Sequence, residues 1–177
     1  MDSRISRAVD GFRWPVGVRQ TIAGSEDDVW TVISTPGVLE QCHPYCRANP
    51  VTQWPGADSR DEVHYFNGWV YERRFVKWIE GVGYSLVIGE ADGPTSVVTW
   101  RVESVDSATS TLAITVYPHL IQGVPIVVRW LPHIGYVRPL LRRYLKSVVR
   151  GFDWYVTRRE PVRRNQFGAH PWFSPDN

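Results

Sequence analysis

Between Arg138 and Thr157, Leu141, Tyr144, Leu145, Val148, Phe152 and Tyr155 recur at the spacing of one helix face, and Arg142, Arg143, Lys146 and Arg150 take the opposite face. This is the longest helical signal in the chain, and it follows a run of segments patterned as strands. So apolar a stripe must be covered, and the preceding strands supply the cover. The fold class predicted is α+β: a curved antiparallel sheet of about seven strands around a long C-terminal helix.

The strand run begins at Val16–Ile22, where Val16, Val18 and Ile22 share one face. Ser25 then offers an N-cap, with Glu26, Asp27 and Asp28 suited to the positive end of a short helix ending at Ile33. Thr35-Pro36-Gly37 stops it, and a second short helical turn covers Val38 to Gln41. Asn67-Gly68 reads as a two-residue hairpin turn between Val63–Phe66 and Trp69–Tyr71. Further turns at Gly81–Gly83, Asp92-Gly93-Pro94 and Asp106-Ser107-Ala108 divide the rest into a meander. In the last hairpin Val98, Trp100 and Val102 should share a face with Leu112, Ile114 and Val116. With 177 residues, one domain is expected: a core at about 16–157, an N-terminal arm at 1–13 and an aromatic, basic tail at 158–177.

Nine Trp, eight Tyr and six Phe are more than a core of this size needs, so some should line a cavity or an interface. Cys42 and Cys46 are the only cysteines. They give no disulfide framework and suit a reducing compartment. Met1 to Arg13 lacks the apolar core of a signal peptide, and a cytoplasmic protein is expected. From Arg129 onward ten basic residues face three acidic ones. An anionic ligand or lipid head group suits that excess better than nucleic acid, because the cations share their helix with a deep apolar stripe.

The Asn67-Gly68 turn also assigns faces. A two-residue loop sets Phe66 opposite Trp69, His64 opposite Tyr71 and Glu62 opposite Arg73. Carried through the following turns, the same face gains Phe75, Tyr84 and Trp100, and Tyr144 on the helix stripe closes over it. These residues form the predicted ligand-binding wall. In it Glu62 and Arg73 fix a polar end, and His64 with Tyr71 binds or transfers a proton. The alternative is a convex-face ion pair beside a solvated histidine. Leu120 to Val137 is broken by Pro125 and Pro132, and reads as a lid rather than an interfacial membrane helix. Cys42-His43-Pro44-Tyr45-Cys46 lacks a fourth zinc ligand and the tighter cysteine spacing of zinc sites. With no phosphate loop, nucleophile elbow or paired helical histidines either, neither metal nor cofactor is expected.

The order of strand, two short helices, meander and long helix resembles the START/Bet v 1-like superfamily over roughly Val16 to Val156. The polyketide cyclase/dehydrase-like branch is the specific likeness. The capped Ser25–Ile33 helix and Arg150-Gly151 in the final helix carry the resemblance. It implies a helix-grip fold whose internal cavity carries lipids or other hydrophobic molecules, with aromatisation or cyclisation catalysed in some members. The expected function is binding or transport of a small hydrophobic ligand with an anionic or carbonyl end. The alternative is an aromatase/cyclase-like enzyme.

Overall fold

The computed structural model describes residues 14–119 and 132–174. The arm at 1–13 and most of the segment expected to form a lid lie outside them. Strand β1 (Val16–Ile22) leads into α1 (Glu26–Ile33) through the predicted cap: Ser25 Oγ accepts from the Asp28 amide, and Asp28 accepts in return from the Ser25 amide. After α2 (Leu39–Cys42) come two short strands, β2 (Cys46–Ala48) and β3 (Val51–Gln53). The meander follows as β4 (Arg60–Tyr65), β5 (Val70–Ile79), β6 (Gly83–Gly89), β7 (Thr95–Asp106) and β8 (Thr109–Tyr117). A π-helical turn, His133–Val137, then opens α3 (Arg138–Arg158).

All strand pairings are antiparallel, in the order β1-β8-β7-β6-β5-β4-β2, with β3 beside β4. The first strand thus lies against the last, and the twisted sheet curls around α3. Leu141, Leu145, Val148 and Phe152 of α3 are buried against the concave face, where Phe152 meets Trp100 edge-on at 5.0 Å. The last hairpin has the register that burial demands, pairing Val98 with Val116, Trp100 with Ile114 and Val102 with Leu112.

The tail folds back over the helix. The Asn165 amide donates to Pro44 O, Tyr45 Oη to Gly168 O, and His170 Nε2 to Leu140 O. This lays the Phe173 ring on Tyr144 at 4.4 Å and on Tyr65 at 4.7 Å. Among the described residues no helix is long and apolar enough to cross a membrane.

Candidate functional site

A cavity of about 480 Å³ lies between the concave face and α3, within the size range of pockets that enclose small molecules. Its walls are mostly apolar, with Val63, Leu86, Val98 and Ile114 from the sheet and Leu141 and Val148 from the helix. Polar side chains gather on it in two places.

The first gathering is built from α2, β4, β5 and α3. Arg73 is 5% exposed, and Asp61, its cross-strand partner, 2%. Arg73 Nε donates to Asp61 Oδ1 at 2.7 Å and Nη2 donates to Oδ2. Burial alone would lower the pKa of the guanidinium. The Asp61 carboxylate outweighs it, and the net shift is upward. The two charges cancel inside the wall.

His43 stands beside this pair, at the end of α2. Burial first, and the Arg73 charge second, push its pKa down to about 3, so the imidazole is neutral. Its Nδ1 accepts the Tyr45 amide at 3.2 Å, which places the ring hydrogen on Nε2, 2.8 Å from Tyr144 Oη. Tyr144 Oη is 3.1 Å from Tyr65 Oη. Three hydrogens therefore serve two links, and one phenol O–H is left over. Burial pushes both phenols upward, so they stay protonated. His43, Tyr65, Arg73 and Tyr144 all border the cavity. Arg73 spends two of its five N–H groups on Asp61. The gathering thus presents hydrogen-bond donors and no net charge.

The second gathering joins the start of β7 to the residues after β8. Ser96 Oγ lies 2.8 Å from His119 Nδ1 and accepts the His119 amide at 3.2 Å. Burial lowers the His119 pKa.

Of the residues expected on the ligand-facing wall, Tyr71, Arg73, Trp100 and Tyr144 border the cavity. Glu62, His64 and Phe66 do not. The loop between β4 and β5 has three residues rather than two: β4 pairs Asp61 with Arg73 and Val63 with Tyr71, and Tyr65 N donates to Trp69 O. Gly68 takes φ +90° while Asn67 keeps a negative φ, which excludes the two-residue type I′ turn. A slip of one residue turns every β4 side chain over. Asp61, Val63 and Tyr65 thus face inward, and Asp61, not Glu62, holds Arg73. Glu62 and His64 instead pair with each other at 2.6 Å on the convex side, where Arg164 lies over the Phe66 ring. Phe75 and Tyr84 are buried but stand apart from the cavity. A bulge in β5 after Phe75 brings in Trp78, which with Trp54 and Trp30 packs that end solid.

Cys42 and Cys46 are buried free thiols, raised by desolvation, Cys46 to about 12. Among the described residues no group of three His, Cys, Asp or Glu is placed to hold a metal ion.

No family model and no curated protein matches this sequence. Solved structures do resemble it. DynU16, a protein from the dynemicin biosynthetic locus, superposes with a TM-score of 0.64 at 15% identity, over 84% of this chain and 49% of that one. The chain therefore spans about half of that protein's length. A START superfamily protein from Mycobacterium smegmatis gives 0.63 at 13% identity, over 82% of this chain and 98% of that one. Norcoclaurine synthase from Thalictrum flavum gives 0.59 at 14%, over 82% and 94%. The chain has the START/Bet v 1-like helix-grip fold.

Proposed function

We propose that the cavity binds a small, largely apolar molecule through a neutral carbonyl oxygen held at Tyr65, Tyr144 and Arg73. The leftover phenol hydrogen carries this reading. It calls for an acceptor. Charge then decides which kind. Asp61 already balances Arg73, and His43 is neutral. A carboxylate would enter with no counter-charge, at a cost of several kcal/mol, whereas a ketone, ester or amide carbonyl loses little on desolvation.

Methyl nonyl ketone and undecane are suitable probes, since they have nearly the same size and shape and only one carries an acceptor. Because Tyr65→Phe alone would leave the Tyr144 O–H unspent, both phenols are replaced together: the double variant Tyr65→Phe, Tyr144→Phe should weaken the ketone about tenfold and leave the alkane unchanged. Equal ketone affinity in the two proteins, both folded by circular dichroism, contradicts the proposal.

The same chain of His43, Tyr144 and Tyr65 supports a second reading, as an aromatase/cyclase-like enzyme in which the phenol polarises a carbonyl while an enol forms. On that reading the same double variant abolishes turnover of a cyclisable ketone while binding persists. On the carrier reading no turnover occurs in either protein.

A further inference from the structure

The Ser96–His119 pair sits on the same cavity wall but takes no part in the site described above, and its hydrogens can be counted in the same way. Ser96 Oγ accepts the His119 amide and shares one further hydrogen bond with His119 Nδ1. Desolvation lowers the His119 pKa, so the ring brings one hydrogen and the hydroxyl another. If the hydroxyl donates to Nδ1, the ring hydrogen sits on Nε2 and is unspent. If Nδ1 donates to the hydroxyl, the Ser96 O–H is unspent. In either arrangement one donor remains among the described residues, and both side chains border the cavity.

Strand register places this donor relative to the first. Arg73 pairs with Ile88 and Ile88 with Ser96, so the three form one row across the concave face, with apolar Ile88 between two polar ends. Two interstrand spacings separate Arg73 from Ser96. Tyr65 lies one strand further, on β4, and four residues along it from Asp61, the partner of Arg73. The two stations are therefore roughly 14 Å apart across the strands and roughly 13 Å apart along them. One short polar head cannot meet both.

We infer that Ser96 and His119 form a second acceptor-binding station, and that the ligand is an elongated, neutral dicarbonyl lying diagonally across the strands, one oxygen at the Tyr65–Tyr144 pair and the other at Ser96–His119. This rests on the carrier reading of the cavity and adds the ligand's second end. The apolar walls between the stations match a hydrocarbon spacer, and neither station supplies an uncompensated charge for an anion.

The test uses two series of linear ketones on the full chain. One holds diketones whose carbonyls are separated by increasing numbers of methylenes, and the other holds monoketones of equal length. At one preferred separation the diketone should bind about tenfold tighter than its monoketone, the yield of one added hydrogen bond. Ser96→Ala should erase that advantage. His119→Gln, measured separately, should reduce it, so the inference does not depend on how one variant folds. A diketone advantage that is absent, indifferent to separation, or retained in both variants overturns the second station while the carrier reading stands. If neither series binds the wild type, the carrier reading falls and this inference falls with it.

Discussion

His43 is a buried histidine whose charged neighbour on the cavity side, among the described residues, is Arg73, and its neutrality has a measurable consequence. Its pKa falls from an ordinary 6.5 to about 3 in the folded protein, through burial and then through Arg73. Between those values the unfolded chain takes up a proton that the folded one refuses. The stability His43 contributes is thus complete above pH 6.5 and is lost as pH falls toward 3, by up to about 1.4 kcal/mol per unit. Urea midpoints of wild type and His43→Gln, followed from neutral pH into this window, should converge as the wild type loses stability faster. Parallel curves would mean that His43 is protonated in the fold. None of this was legible in the sequence, where His43 stood out only as a weak metal ligand between two cysteines. Its role comes from Tyr144, a hundred residues away, and from an amide two residues on.

At the scale of elements, much was legible wherever periodicity and capping speak directly. Ser25 caps α1, and the α3 stripe faces the sheet. The last hairpin has its expected register because both of its strands alternate cleanly. The β4–β5 hairpin was misread because Asn-Gly suits two loops. It fits a two-residue turn with both residues at positive φ, and also a three-residue loop in which glycine alone has it. Tertiary contacts accompany the longer loop: Asn67 donates to Trp172 O and accepts from the Trp69 amide. Gly151 shows the opposite case, a residue whose reason becomes visible only in the packing. Inside a helix it costs about 1 kcal/mol relative to alanine, yet a Cβ there would stand 1.9 Å from the Cys42 carbonyl oxygen. The close seating of α3 on the end of α2 depends on it. Gly151→Ala should therefore destabilise by several kcal/mol despite the better helix former. A thermal midpoint at or above that of wild type would show that the two helices can separate freely.

At the scale of the molecule, the sequence foretold a curved sheet closed by one helix, and its surplus of aromatic residues foretold a lined interior. What it hid was the division of that interior. Phe75, Tyr84 and the tryptophans beside them fill one end, and the other end stays open as the cavity. The tail reads in the sequence only as aromatic and basic, yet it supplies Trp172 and Phe173 as wall. No local pattern announces that, because the tail's hydrogen bonds run to Pro44, Leu140 and Tyr45, each far off in sequence. The central claim is that this apolar space offers a hydrogen bond to a carbonyl at Tyr65. Infrared difference spectroscopy of bound methyl nonyl ketone reads that bond directly. The carbonyl stretch should lie below its position in hydrocarbon solvent when the ketone occupies the wild type, and should return toward that position in the double variant Tyr65→Phe, Tyr144→Phe. A stretch at the hydrocarbon position in the wild type would contradict the account.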